Sequence, residues 1–152
     1  MFRGVNGVNI DVKGRMVMPS RYRESLQQDD RGSVVMTIDT EERCLLLYPL
    51  ASWEEIEKKL AALPSFNKAA RRIQRLLIGH ATEAELDTHG RILLPPLLRD
   101  YAGITKHAML VGQGKKFELW DEKQWEERRT QWLDEESNGD SELPEEMKTL
   151  SL

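Results

Sequence analysis

The sequence contains one cysteine, Cys44, and has no apolar run near the roughly 18 residues that a membrane-spanning helix requires. A single thiol excludes a disulfide within the chain. Its position in the apolar run Cys44–Leu47 indicates a buried thiol in a reducing compartment. The N-terminal residues Met1–Asn6 lack the apolar segment of a secretory signal. We therefore expect a soluble cytoplasmic protein without membrane association.

Patterns that mark metal and catalytic sites are also missing. The three histidines, His80, His89 and His107, fall in separate predicted elements without metal-ligand spacing, and the lone cysteine cannot complete a zinc site. Neither a nucleophile-elbow sequence nor a glycine-rich phosphate loop is visible. The sequence thus predicts no catalytic residue, no metal, no cofactor and no small-molecule substrate.

Charge is distributed unevenly over the 152 residues. The formal net charge is −4, but residues 121–152 contain eleven acidic and four basic residues, so the rest of the chain is net positive. The segment Met1–Arg23 contains five basic residues and one acid, Asp11. Because binding follows the local field rather than the overall charge, an acidic total does not exclude a nucleic-acid partner.

A segment of the first half returns in the second. Ile10–Pro19 reappears as Leu86–Pro95, 76 residues later, and each copy contains Asp-x-x-Gly-Arg, an apolar triplet and a proline. The correspondence continues from Arg23 to Arg99 and, with a shorter spacing, from Trp53 to Trp125. The chain therefore consists of two homologous halves.

Each half shows the same order of predicted elements. A short strand leads into the Asp-x-x-Gly turn and a second strand, and Pro19 or Pro95 ends that second strand. A helical turn and a β-hairpin follow. The helical turns span Arg21–Leu26 and Leu97–Tyr101, and the hairpin strands span Val34–Ile38, Cys44–Tyr48, Ala108–Val111 and Phe117–Trp120.

Helices are predicted after each hairpin. Capping-box sequences place helix starts at Ser52 and at Asp121. A further helix is expected over Asn67–Ile78, ending at Gly79, with apolar residues on one side and basic residues on the other.

These elements predict an α+β fold. Two separate β units would each leave open strand edges, which favours pairing of the halves into one closed β body about a pseudo-two-fold axis. We expect a first β unit, a helical connector, a second β unit and a C-terminal helix with an acidic tail. Their expected ranges are 5–50, 51–79, 80–123 and 124–152.

The repeated turn is the candidate site. Gly14 and Gly90 supply positions that can adopt positive φ, and Asp11 and Asp87 are predicted to hold the turns by accepting backbone hydrogen bonds. A rigid loop suits DNA because arginine offers a planar fork to guanine or phosphate, while lysine adds a point charge. The predicted DNA-binding residues are Arg3, Lys13, Arg15, His89 and Arg91, and the predicted turn-structural residues are Asp11, Gly14, Asp87 and Gly90.

Over nearly its whole length the chain resembles the MraZ family of bacterial transcriptional regulators. The resemblance rests on Met1–Gly4, the paired Asp-x-x-Gly-Arg-x-x-x-Pro segments, Leu47–Pro49 and the run from Arg72 to Gly79. It implies two swapped-hairpin SpoVT-AbrB (AbrB/MazE-like) units that form one β-barrel per subunit, with subunits assembled into a ring. The family signature falls on Asp11 with Arg15 and on Asp87 with Arg91, and implies that the arginines contact DNA.

The resemblance also implies a function. Family members associate with the nucleoid and bind short direct repeats upstream of their own gene, which heads a division and cell-wall cluster that they usually repress. Several subunits would be needed, because one or two arginine loops cannot make the six to ten phosphate contacts of strong, salt-sensitive binding. The second copy departs from a fully basic loop at His89, so Lys13 and Arg15 are expected to form the main reading loop.

Two other function classes remain open. An aspartic protease also pairs one aspartate from each half, but Lys13 and His89 occupy positions where that family requires glycine, and both arginines would be unexplained. An antitoxin-like interaction module is the stronger alternative, since the same swapped-hairpin unit occurs in antitoxins. There the acidic stretch Asp134–Glu146 would bind a partner.

Overall fold

The chain forms eight strands and six α-helices within residues 1–139 and 143–151, the part that the computed structural model describes. The first half contains β1 (Phe2–Asn9), β2 (Arg15–Val17), β3 (Ser33–Ile38) and β4 (Leu45–Pro49), and the second contains β5 (Thr82–Glu85), β6 (Arg91–Leu93), β7 (His107–Gly114) and β8 (Phe117–Asp121). The helices are α1 (Ser20–Asp30), α2 (Leu50–Ala61), α3 (Lys68–Ile73), α4 (Pro96–Ala102), α5 (Glu122–Asn138) and α6 (Glu145–Lys148).

Two compact units divide the chain, Met1–Glu122 and Lys123–Leu152. All eight strands belong to the first unit, and the second consists of helix α5 after its first residue together with α6. No helix in the described part of the chain is long and apolar enough to span a membrane.

Strands of the two halves interleave. Six antiparallel strands form one sheet in the order β1-β7-β8-β4-β3-β5, and β2 pairs with β6 in a separate two-stranded ribbon. The strand pairings are repeated by the pseudo-symmetry of the two halves. The pairing of β1 with β7, for example, corresponds to the pairing of β5 with β3. The pseudo-two-fold axis therefore passes between β4 and β8 and between β2 and β6.

The predicted α+β class is confirmed, but the expected closed barrel is not what these strands form. Strands β1 and β5 are the two edges of an open sheet, and within the described residues they do not pair with each other. Strands β2 and β6 are too short to bridge these edges, because each has three residues before the extended segment that leads to Pro19 or Pro95. A single bridge, Ile10 to Met16, links the end of β1 to β2.

The main core lies between the six-stranded sheet, the β2–β6 ribbon and helices α1 and α4. Met16 and Ile92, at the middle of the two ribbon strands, are fully buried in it. Strand β3 is buried on both faces, because Val34, Met36 and Ile38 join the main core while Val35 packs with Trp53 in a second cluster under α2. Because the sheet is packed on both faces, it is a rigid support that fixes the position of the ribbon relative to it.

Most predicted element positions are confirmed. Helix α3 begins after Asn67, whose side chain accepts a hydrogen bond from the Ala70 backbone nitrogen at 3.0 Å, and a π-helical turn, Gln74–Ile78, continues it to Gly79. Helix α5 begins directly after Asp121, as expected. The helix start predicted at Ser52 was wrong. Helix α2 begins at Leu50, directly after Pro49, because the fixed φ of proline suits a helix start. Ser52 therefore lies inside the first turn.

Candidate nucleic-acid interface

The first repeated turn is held by one carboxylate. Asp11 Oδ1 accepts hydrogen bonds from the backbone nitrogens of Lys13 and Arg15, both at 2.9 Å, and Asp11 Oδ2 accepts one from Arg15 Nε at 2.7 Å. Gly14 closes the turn at a φ of 85°, where its nitrogen donates to the Asp11 carbonyl at 2.9 Å. The turn thus fixes both the backbone and the guanidinium of Arg15.

The second turn repeats this geometry to within about 0.1 Å. Asp87 Oδ1 accepts from the backbone nitrogens of His89 and Arg91, both at 2.8 Å, and Asp87 Oδ2 accepts from Arg91 Nε at 2.8 Å. Gly90 has a φ of 73° and donates to the Asp87 carbonyl at 3.0 Å. Equal shape in both turns supports the roles predicted for the two aspartates and the two glycines.

Both aspartates are stabilised as anions by the turns that they hold. The backbone hydrogen bond from Arg91 is the main cause that lowers the pKa of Asp87 to about 2, and burial opposes it in part. The corresponding bond from Arg15 likewise lowers the pKa of Asp11. The carboxylates therefore remain charged at neutral pH and keep both arginines in position.

The two arginines share one face of the β2–β6 ribbon. Arg15 pairs with Leu93 and Arg91 pairs with Val17, so the two arginines are diagonal neighbours, with Cα atoms about 7–8 Å apart. Because side chains alternate along a strand and Met16 faces the core, these four residues face outward. Val17 is 45% and Leu93 55% exposed, so the face presents two guanidinium groups beside two apolar side chains.

Two further arginines, to which the sequence pattern assigned no role, pack against the inner side of the two loops. Arg99 of α4 lies under Gly14, where a Cβ atom would come within 2.7 Å of the guanidinium carbon, and its Nε donates to the Leu94 carbonyl at 3.2 Å. Arg23 of α1 lies under Gly90 in the same way, with its Nε 2.6 Å from the Met18 carbonyl oxygen. Each loop of one half thus rests on an arginine of the other half. The recurrence of Arg23 as Arg99 in the sequence was the one feature that could have indicated this supporting role.

The remaining predicted contacts lie in different places. Lys13 and His89 occupy equivalent exposed positions at the tips of the two turns. Arg3 lies near the start of β1, at the far end of that strand from Asp11, a separation of roughly 25 Å at the usual rise per residue. The fold therefore places Arg15 and Arg91 together on the ribbon, puts Lys13 and His89 at its two opposite ends, and leaves Arg3 apart.

One group of potential metal ligands meets elsewhere in the fold. Ligand atoms of Asp39, Cys44 and Glu118 all lie within 4.8 Å of one another. They are already engaged, since Cys44 Sγ lies 3.7 Å from Asp39 Oδ2 and Glu118 Oε1 accepts from Trp120 Nε1 at 2.9 Å. Burial raises the pKa of both Cys44 and Glu118, so the cluster favours bound protons. Sequence spacing could not reveal it, because Asp39 and Cys44 come from the loop between β3 and β4 whereas Glu118 comes from β8 of the other half.

A pseudo-symmetric α+β protein with two aspartate-anchored arginine loops on one ribbon is the class that this fold and site define. The family model described as "MraZ protein, putative antitoxin-like" matches residues 1–76 and again residues 77–147. The chain therefore belongs to the MraZ family, as its motifs indicated.

Curated relatives agree with this assignment. The chain is 59% identical to the transcriptional regulator MraZ of Coxiella burnetii, 58% identical to that of Legionella pneumophila and 56% identical to that of Halorhodospira halophila. Each comparison covers the full length of both chains, 152 residues. These relatives are named as transcriptional regulators and not as enzymes.

Proposed function

We propose that this chain is a transcriptional regulator that binds double-stranded DNA through the outward face of the β2–β6 ribbon. The observation that carries the proposal is the shared face of Arg15 and Arg91, each fixed at Nε by its own aspartate. Within the described residues, no hydrogen bond engages the terminal amino groups of either guanidinium. These groups form the planar fork that recognises guanine or phosphate.

Val17 and Leu93 suit the same task. They are exposed beside the arginines on the outward face of the ribbon. In a groove of DNA, an apolar side chain contacts the thymine methyl group while an arginine reads guanine. The ribbon face therefore combines charged and apolar contacts to base edges, as a sequence-specific reader requires.

The two loops are equal in shape and unequal in charge. With Asp11, Lys13 and Arg15 the first loop has a net charge of +1, whereas Asp87, neutral His89 and Arg91 leave the second loop neutral. The first loop is therefore the main reader and the second an auxiliary one, with Arg3 as a separate contact at the far end of β1.

The target that the family assignment supports is a set of short direct repeats upstream of the chain's own gene. Binding there would repress a division and cell-wall cluster, and the protein would act in the cytoplasm in association with the nucleoid. The names of the relatives from Coxiella, Legionella and Halorhodospira support regulation of transcription.

Binding in a ring of identical subunits is part of the proposal. Two loops per subunit supply too few phosphate contacts for strong binding, and linked subunits make later contacts intramolecular. The swapped-hairpin description of each β unit is proposed with it. The exchange of strand partners between the halves, β1 with β7 and β3 with β5, supports that description.

Selection of bound fragments from the genome of the source organism tests the function and the target together. The proposal predicts enrichment of the region upstream of the chain's own gene, and tighter binding to that fragment than to a scrambled duplex of equal length. Equal affinity for both duplexes would contradict sequence-specific regulation.

A second candidate is antitoxin-like binding of a partner by the acidic C-terminal segment. The description of the family model favours it, as do the exposed acids Asp134, Glu135 and Glu136 at the end of α5. Residues 140–142 of the predicted tail lie outside the described residues. A reporter under the upstream region separates the candidates: DNA reading predicts that Arg15→Gln releases repression and that Glu135→Gln with Glu136→Gln does not.

A further inference from the structure

Helix α3 and the π-helical turn that continues it carry a row of four exposed cations, Lys68, Arg71, Arg72 and Arg75. Their spacing of three, four and seven residues places them on one side of the helix, over about 10 Å of its length. We call this set the α3 cationic row. The exposed neighbour within it is Ala69, so the row contains no large apolar side chain.

The opposite side of this helix is fixed to the body of the protein. Leu76 packs against the main core, and Leu77 packs against the cluster under α2. Thr37 is fully buried, and its Oγ1 donates a hydrogen bond to the Leu77 carbonyl at 2.7 Å. Gln74 Nε2 donates to the Leu60 carbonyl at 2.9 Å. The row is therefore displayed on a rigid support and keeps its outward direction.

Charge on the row is not compensated. Within residues 1–139 and 143–151, no ion pair joins any of the four side chains to a carboxylate, whereas Arg15 and Arg91 each form one. The two loops have a net charge of +1, or +3 when Arg23 and Arg99 beneath them are included, and the row has +4. The row is therefore a second site of attraction for a polyanion, in addition to the ribbon.

We propose that the α3 cationic row binds the phosphate backbone of DNA and supplies most of the salt-dependent, sequence-independent affinity. The proposal rests on the proposed function and adds a second contact surface to it. Flexible cations on a convex helix match phosphate oxygens, which lie at one charge per about 1.7 Å of duplex. A protein partner would require apolar area at the centre of the interface, and the only exposed apolar side chain within the row is Ala69, since the exposed Phe66 precedes its first residue.

Fluorescence anisotropy of labelled duplexes at several salt concentrations tests this proposal. The variant is Arg71→Gln with Arg72→Gln, and the matched control is Lys123→Gln with Arg129→Gln, which removes two exposed cations from acidic helix α5. The loss of two phosphate contacts lowers the slope of log affinity against log salt by about 1.8, and lowers affinity near 0.1 M salt by roughly ten- to hundred-fold. The loss should be equal for upstream and scrambled duplexes.

The charge-preserving variant Arg71→Lys with Arg72→Lys should retain the slope of the unmodified protein. A slope and affinity for the Gln variant equal to those of the control would overturn the proposal. So would a fall in its assembled mass, which would mark the row as a contact for an acidic protein surface. Absence of any DNA binding by the unmodified protein would instead refute the proposed function itself.

Discussion

The guanidinium carbon of Arg99 lies where a side chain on Gly14 would have to be, since a Cβ atom on Gly14 would approach it to 2.7 Å. Arg99 belongs to the second half and Gly14 to the reading loop of the first half. Arg23 and Gly90 repeat the relationship in the opposite direction. Each loop therefore holds its arginine through its own aspartate and is supported from beneath by a helix of the other half.

Replacement of Gly14 by alanine is expected to destabilise the protein more than the same change at Gly32. Both glycines have positive φ, which costs an L-residue roughly 1–2 kcal/mol. A Cβ on Gly32 meets its nearest atom at 3.6 Å, an ordinary contact, whereas one on Gly14 would displace Arg99. Urea unfolding of the two variants measures the difference. Equal losses would contradict the bracing role of Arg99.

Exchange of the loop-tip residues Lys13 and His89 should change how much each loop contributes to DNA affinity. His89→Lys adds a cation to the second loop and should raise affinity for upstream DNA several-fold, the order expected for one phosphate contact. Lys13→His should lower it by a similar factor. Anisotropy at one fixed salt concentration gives both values. The unequal roles of the loops would be contradicted if neither variant differed from the unmodified protein.

Much of this site was predictable from the repeat. The copies Ile10–Pro19 and Leu86–Pro95 predicted both turns, their glycines and their aspartate anchors, because turn chemistry is local. The support from Arg23 and Arg99 was not, since it arises where α1 and α4 of opposite halves approach the loops. The open strand edges suggested a barrel, but in the described residues β2 pairs with β6 and reaches β1 only through the single bridge from Ile10 to Met16. Pairing between the halves was expected and is present, but local sequence rules do not specify which strands are partners or that the sheet stays open.

Acid should weaken the second turn in a defined pH range. The pKa of Asp87 is about 2 in the folded chain and near 3.8 in the unfolded one, so its stabilising contribution is fully present above about pH 4 and is lost as pH falls towards 2. Asp87→Asn should therefore be less stable than the unmodified protein at pH 6, and the two should converge near pH 2. Chemical unfolding across this range measures the difference in free energy. A constant difference would contradict the assignment.

Cys44 should be unreactive in the native protein. Burial raises the pKa of this thiol, and the carboxylates of Glu118 and Asp39 raise it further, so the nucleophilic thiolate is scarce. A thiol-specific reagent at pH 8 is expected to modify Cys44 only as fast as the protein unfolds, with full reaction in denaturant. Rapid modification of the native chain would contradict this prediction and show that the cluster of Asp39, Cys44 and Glu118 becomes accessible to solvent without unfolding.

The most direct test of the ribbon face is the double variant Arg15→Gln with Arg91→Gln, measured for binding to the upstream fragment and to a scrambled duplex. Each bidentate arginine contact discriminates between bases by about 1–3 kcal/mol. With folding and assembled mass unchanged, the preference for the upstream fragment should therefore fall at least about ten-fold, while weak binding to both duplexes persists. An unchanged preference would contradict the assignment of these two arginines as the DNA readers.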